Sequence, residues 1–151
     1  MTEKEQQVAN LIKDAFAGIR LGDGVGLFEA QAIDDYADAA TRQAARSRDE
    51  TDDWSAISAD DLNQCYSSLS FFDAEGMRFH LPAFLLADLK GQFKQDVIFA
   101  LTYLNDTARF EKLSPPQRRA VRQFLLLRQA DLNYEYSRPW IKSALEAYWT
   151  E

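Results

Sequence analysis

Cysteine and histidine are nearly absent from the sequence, which has one residue of each, Cys65 and His80, among 151. A single cysteine cannot form an internal disulfide, and one thiol with one imidazole cannot supply the ligands of the common zinc sites. The sequence therefore indicates a reducing compartment, and it predicts no bound metal and no cofactor.

Long hydrophobic runs are also missing. The longest uninterrupted apolar stretch has about five residues, whereas a membrane-spanning helix needs roughly 20. The amino terminus, Met1-Thr2-Glu3-Lys4, lacks the basic start and the apolar run of a signal peptide. We expect a cytoplasmic protein that neither crosses nor binds a membrane.

Apolar and aromatic residues, by contrast, are plentiful. Hydrophobic residues make up 46% of the chain, with ten Phe, six Tyr and three Trp, which is ample material for one core at this length. No linker or internal repeat divides the chain, so the prediction is a single domain over residues 1–151. The predicted fold is mainly α, a compact multi-helix domain with one short β-hairpin near residues 69–80.

Capping signals define the predicted helices in the first half of the chain. Thr2 to Glu5 forms a capping-box pattern before an amphipathic stretch, which predicts a first helix ended by Gly22 and Gly24. A second helix is expected to begin near Leu27, with an apolar face that continues to Ala44. A polar loop at 47–53 and a short helix capped by Ser58 follow.

The middle of the chain is the least regular. Leu69–Phe72 and Met77–His80 read as two strands, with a turn at 73–76 in which Gly76 takes positive φ. A helix is expected to start at Pro82 and end near Lys90. The stretch 97–104 fits a helix or a strand, and a helix is favoured.

Two further helices are predicted in the last third of the chain. Ser114-Pro115-Pro116-Gln117 indicates the start of a long helix that ends near Asp131. Pro139 is expected to start the final helix, which continues through Trp149.

Negative charge is concentrated in one segment. The chain carries a formal charge of −7, and residues 23–61 contain eleven acidic and three basic side chains. Such a chain is repelled by phosphate backbones, so nucleic-acid binding is not expected. A basic protein partner is expected instead, and seven acids of the segment are the candidate binding residues: Asp34, Asp35, Asp38, Asp49, Glu50, Asp52 and Asp53.

Two patterns invite a catalytic interpretation. Asp34 and Asp38 would be i,i+4 neighbours on the second helix and could share a metal ion or act as an acid–base pair. Cys65 and His80 could form a nucleophile pair across the hairpin, although a buried cysteine and a half-buried strand histidine explain them more simply.

Two groups of side chains outside the acidic segment are candidate surfaces. The arginines of the long helix, among them Arg118, Arg119, Arg122 and Arg128, make it locally basic. They could pair with the acidic segment, and a homodimer built that way is a further expectation. The aromatics near the carboxyl terminus, from Tyr134 to Trp149, fit either an interface or the docking of the last helix.

Three blocks of sequence resemble an uncharacterised family of small bacterial proteins, a domain-of-unknown-function family. They are Gly24–Ala30 with Asp34-Asp35-Tyr36, Leu69–Leu85, and Leu113–Val121. In that family tyrosine often stands at the position of His80, which argues against His80 as a general base. The resemblance implies an intracellular bacterial protein and brings no activity.

These patterns favour a non-enzymatic interaction protein that binds a basic partner through residues 23–61. Small size, acidity and the lack of a catalytic motif fit an immunity or antitoxin-type protein. The alternative is a small carboxylate-dependent enzyme, assisted by a metal, that uses acids of the second helix.

Overall fold

A computed structural model describes residues 1–151, and its regular structure is entirely helical. Short 3-10 turns connect the helices at residues 54–56, 68–70, 108–110 and 132–137. The eight α-helices are α1 (Glu3–Ala15), α2 (Leu27–Asp34), α3 (Ala39–Ser47), α4 (Ala59–Gln64), α5 (Ala74–Leu89), α6 (Val97–Thr102), α7 (Pro115–Gln129) and α8 (Arg138–Ala147).

The predicted β-hairpin at 69–80 is wrong, because α5 occupies its second half. Asp73 caps this helix by accepting a hydrogen bond from the Gly76 amide (2.8 Å), so residues 73–76 form a helix start and not a turn. Pro82 lies inside α5, not at its first position. Twelve of the sixteen residues of α5 are buried, and a helix covered on nearly every side shows little of the periodicity that identifies an amphipathic helix.

The predicted second helix is two helices. α2 ends at Asp34, Tyr36 adopts a left-handed backbone (φ 57°), and the Asp38 carboxylate accepts a hydrogen bond from the Thr41 amide (2.8 Å) to cap α3. Aspartate is among the preferred N-cap residues, so Asp38 starts a new helix where the apolar pattern suggested a continuous one. α3 packs on α2 and buries none of its own residues.

The other predicted helices are present. The predicted end of the first helix at Gly22 is wrong, because α1 ends at Ala15 and Gly18 already adopts a positive φ (75°). The ends of the remaining helices differ from the predictions by one or two residues. Thr2 and Glu5 form the expected capping box of α1, and Ser114 and Gln117 form that of α7. Ser58 caps α4. The ambiguous stretch that begins at Val97 is helical, as favoured, and becomes α6.

Helices α1, α5 and α7 form the central packing unit, and Arg128 of α7 connects all three. Its guanidinium donates to the carboxylates of Asp88 on α5 (2.9 Å) and Glu5 on α1 (3.2 Å), and lies 4.7 Å from the Tyr134 ring centre. The arginine side chain is only 5% exposed and that of Asp88 only 10%. The central unit therefore contains a largely buried ionic connection at the edge of the 36-residue apolar core.

The carboxyl terminus is firmly docked on this unit. Trp149 is fully buried and its indole N–H donates to the Leu101 carbonyl (2.8 Å), which holds the end of the chain against α6. None of the helices combines the length and the apolar character that crossing a bilayer requires.

Candidate functional site

The seven candidate acids do not form one surface. Asp34, Asp35 and Asp38 lie where α2 ends and α3 begins, whereas residues 49–53 follow α3 and return to the start of α2. An eight-residue helix is about 12 Å long. The structure therefore divides the predicted site into two groups at opposite ends of the α2–α3 pair.

Asp49, in the second group, serves the fold. Its carboxylate accepts hydrogen bonds from the backbone amides of Phe28 (2.6 Å) and Glu29 (3.2 Å). The residue at the N-cap of α2 is Gly26, which has no side chain to do this. Burial raises the pKa of Asp49, while the two amide hydrogen bonds oppose that rise. Asp49 is thus a remote cap for α2.

The neighbours of Asp49 are also engaged locally. Glu50 accepts from the amides of Asp52 (3.1 Å) and Asp53 (3.2 Å), and Asp53 caps the following turn through Ser55. Asp52 lies 3.4 Å from the Arg20 guanidinium in an exposed ion pair. A protein partner that bound these side chains would therefore compete with the contacts that they already make within the chain.

The first group has a different character. Asp34, Asp35, Tyr36 and Asp38, here called the acidic tip, occupy the connection between α2 and α3, and none of the three carboxylates lies within ion-pair distance of a basic side chain. The hydrogen bond from the Thr41 amide lowers the pKa of Asp38, which keeps it ionised. Tyr36, at the centre, is 96% exposed.

The paired-carboxylate interpretation fails on this geometry. Asp38 caps α3 and is not on the helix that holds Asp34, so the two are not i,i+4 neighbours on one face. Nowhere does the structure bring three or more His, Cys, Asp or Glu side chains together in an arrangement that could hold a metal ion.

Cys65 and His80 are both buried, and neither is poised for nucleophilic chemistry. Burial, helped by the nearby Asp49 and Asp61 carboxylates, raises the pKa of the Cys65 thiol to about 12. Burial lowers the pKa of His80 to about 4. His80 lies in α5 and not in a half-buried strand. Its Nδ1–H donates a hydrogen bond to the Gly76 carbonyl (2.7 Å), and its ring stacks on Phe72. A neutral imidazole and a protonated thiol cannot form the ion pair that activates a cysteine.

The arginines of α7 mostly hold the carboxyl terminus. Arg118 donates to the Tyr148 hydroxyl (2.9 Å) and carbonyl (2.8 Å), and Arg122 donates to the Trp149 carbonyl (2.6 Å). With Arg128 buried, Arg119 is the exposed arginine of this helix. Three of the four arginines of the predicted basic surface are therefore engaged in contacts within the chain.

The carboxyl-terminal aromatics divide into two sets. Tyr148 and Trp149 dock the end of the chain. Tyr136 and Trp140 remain 92% and 64% exposed, and they line a groove together with Phe99 and Tyr103. This aromatic groove, which also includes Asp96, was not predicted from the sequence, where the stretch 97–104 was interpreted only as a helix or a strand. The i,i+4 spacing of Phe99 and Tyr103 was the signal for a shared outer face.

These observations define an all-helical protein with an exposed acidic tip and an aromatic groove. Residues 4–151 match the model of a family of unknown function, DUF6714, and the chain belongs to that family. No curated protein matches the chain, and no solved structure matches it.

Proposed function

We propose that this protein is a non-enzymatic interaction protein that binds a basic protein partner through the acidic 23–61 segment, with the acidic tip as the contact point. The observation that carries the proposal is Tyr36, which is almost fully exposed between Asp35 and Asp38 in a left-handed backbone conformation.

The left-handed conformation of Tyr36 ends α2, because the amides of Tyr36 and Ala37 donate to the carbonyls of Ile33 (3.1 Å) and Ala32 (3.0 Å), as in a Schellman C-cap. Glycine is the usual residue at this position, so the helix end explains the conformation but not the choice of tyrosine. A residue other than glycine in the left-handed region is disfavoured by roughly 1–2 kcal/mol, and the Tyr36 side chain has no core contact to offset it. A fully exposed tyrosine at a position that suits glycine is consistent with a role outside the fold. Tyrosine is also enriched at protein interfaces, because it contributes a large contact area at low entropic cost.

The acids around Tyr36 provide the electrostatic part of the proposal. Their negative charge is not neutralised by an ion pair, and α3 behind them buries no residue and adds nothing to the core. A negatively charged surface accelerates association with a positively charged partner and disfavours the binding of negatively charged proteins. Asp52 and Asp53, at the far end of the α2–α3 pair, add to the negative electrostatic potential of this part of the surface.

The setting that we propose is the bacterial cytoplasm. It rests on the single reduced cysteine and on the resemblance that the sequence carries. In its most concrete form, the protein is an immunity or antitoxin-type protein that covers the positively charged surface of a toxin. The tip would then insert Tyr36 into that surface while the carboxylates pair with its bases.

The substitution Tyr36→Gly tests the proposal because stability and binding should move in opposite directions. Glycine adopts the left-handed conformation without strain, so the free energy of unfolding is expected to rise by about 1 kcal/mol. Binding to a partner that co-purifies with the tagged wild-type protein is expected to weaken at least about tenfold. Urea denaturation and titration calorimetry measure the two effects.

Tyr66 provides the matched control, because it is 55% exposed and lies outside the tip. Tyr66→Ala is expected to leave partner binding unchanged. A stabilised Tyr36→Gly protein that binds its partner with wild-type affinity would show that the tip is not the contact point.

A further inference from the structure

Four large aromatic side chains are exposed together at one place, the aromatic groove. Phe99 is 57% exposed, Tyr103 51%, Tyr136 92% and Trp140 64%. They line a hollow of about 480 Å³ between α6 on one side and the 3-10 turn and start of α8 on the other. A single exposed aromatic needs no explanation, but a contiguous group that lines a hollow indicates a binding surface.

The two walls of the groove are held in place from behind. The rings of Phe99 and Tyr103 stack with their centres 5.2 Å apart. The helices that carry the walls are connected through Trp149, whose indole donates to Leu101 of α6. The groove therefore exists before anything enters it, which lowers the entropic cost of binding.

The electrostatics of the groove favour a cation. Asp96 is the one charged side chain that lines it, and no lysine or arginine does. Asp96 caps α6 through the Phe99 amide (3.3 Å), which leaves its second carboxylate oxygen without a hydrogen bond. The faces of Tyr, Phe and Trp rings carry negative electrostatic potential, so they attract ammonium and guanidinium groups. The whole chain, at −7, reinforces this preference.

We infer that the aromatic groove binds an arginine or lysine side chain presented by a segment of a protein partner. The cation lies between the Phe99–Tyr103 wall and the Tyr136–Trp140 wall and pairs with Asp96. The groove lies in a different part of the chain from the acidic tip, so this inference holds or fails independently of the proposed function.

A second copy of the chain fits the groove poorly. A symmetric contact through this surface would bring two Asp96 carboxylates and two molecules of charge −7 together without a base in the groove to compensate. Like charges placed opposite each other at an interface are unfavourable. A basic segment satisfies the charge and the aromatic faces at once.

The inference can be tested with a tetra-arginine amide peptide, and with tetra-citrulline amide as its neutral isostere, by NMR of the full chain. The three indole N–H signals provide an internal comparison. Those of Trp54 and Trp149 donate to backbone carbonyls in the interior, at 2.8 Å each, whereas Trp140 is exposed in the groove. Tetra-arginine is expected to shift the Trp140 signal in a saturable way and to leave the other two unchanged.

Variants separate the groove from general attraction to an acidic protein. Trp140→Ala is expected to weaken tetra-arginine binding about 5- to 30-fold, and Asp96→Asn, which retains the cap, about 3-fold. Because Trp140→Ala removes the reporting indole, its affinity is read from the backbone amide signals of Phe99 and Tyr103. Neutralising the tip with Asp34→Asn, Asp35→Asn and Asp38→Asn together, or substituting Tyr66→Ala, should leave the Trp140 shift intact.

Three results would overturn the inference. Equal affinity for tetra-citrulline would show that the groove binds apolar chains without regard to charge. A Trp140 signal that does not respond to the peptide would show that the groove is not a cation site. Sedimentation showing a dimer of wild-type protein that Trp140→Ala abolishes would identify a second copy as the occupant.

Discussion

Replacing Arg128 with methionine tests the connection that holds α1, α5 and α7 together. Arg128 is 5% exposed, and its removal leaves the Asp88 carboxylate, 10% exposed, without its cation. Removing one partner of a buried ion pair costs about 3–5 kcal/mol. Because the Asp88 carboxyl can escape part of this cost by taking up a proton, we expect a loss near the lower limit, about 3 kcal/mol at pH 7.

The loss should depend on pH in a definite direction. Burial already raises the pKa of Asp88, and Arg128 is the main influence that lowers it again. Without the arginine the folded-state pKa rises further above its unfolded value, so the folded variant takes up a proton that the unfolded chain does not. The deficit relative to wild type therefore shrinks as pH falls from 7 towards 4.5. It shrinks by up to about 1.4 kcal/mol for each unit of added pKa shift.

Urea denaturation at pH 7 and pH 5, followed by circular dichroism, measures this deficit. Arg119→Met, at the exposed arginine of the same helix, is the control and is expected to change stability by less than about 0.5 kcal/mol. Combining Arg128→Met with Asp88→Asn removes the buried charge and should recover at least half of the loss. A variant within about 1 kcal/mol of wild type at pH 7, or a deficit that does not change with pH, would refute the reasoning.

Three further predictions concern groups that are buried or partly buried. Asp49→Ala leaves the Phe28 and Glu29 amides unpaired, so it should lower the free energy of unfolding by about 1–2 kcal/mol. Urea denaturation measures the loss, and Asp52→Ala is the near-neutral control. His80 should titrate near pH 4 and not near 6.5 by NMR, and because its folded pKa is depressed, its contribution to stability is lost as pH falls from 6.5 to 4. Native Cys65 should react with a disulfide reagent far more slowly than the unfolded chain does at pH 8, since its pKa is about 12, and equal rates would contradict its burial.

The helices that could be predicted are those with a local start signal and one buried face. α1 and α7 combine a capping box with an amphipathic pattern, and both properties depend on residues three or four apart. The start of α2 was also predicted. Its cap, however, comes from Asp49, about twenty residues further along the chain, so no local pattern could identify the role of that acid.

The hairpin error has the same origin. α5 is buried nearly all round, so its apolar residues do not alternate with polar ones, and Asp73 reads equally well as a turn residue or as a helix cap. The Asp73 carboxylate also accepts from the Val25 amide (3.0 Å), and a Cβ on Gly24 would lie 2.9 Å from the Gly76 amide nitrogen. Two of the blocks that carry the family resemblance therefore meet here, as a packing contact between distant segments.

The candidate site was predictable in charge but not in arrangement. Composition located the acidity in residues 23–61, yet only the fold shows that Asp49 and Asp53 cap helices and that the carboxylates of the tip have no ion-pair partner. The aromatic groove was predictable only in part, because the spacing of Phe99 and Tyr103 indicates one wall, whereas the second wall depends on α6 and α8 lying side by side.

Recovery of a protein partner at two ionic strengths tests the central claim most directly. The variant to compare with wild type carries Asp34→Asn, Asp35→Asn and Asp38→Asn, in which asparagine keeps the α3 cap. Its control removes three exposed charges elsewhere, through Glu111→Gln, Glu146→Gln and Glu151→Gln. We predict a stoichiometric basic partner that wild type and control retain at low salt, that high salt releases, and that the tip variant does not recover. Equal recovery by all three proteins at both salt concentrations would contradict the account.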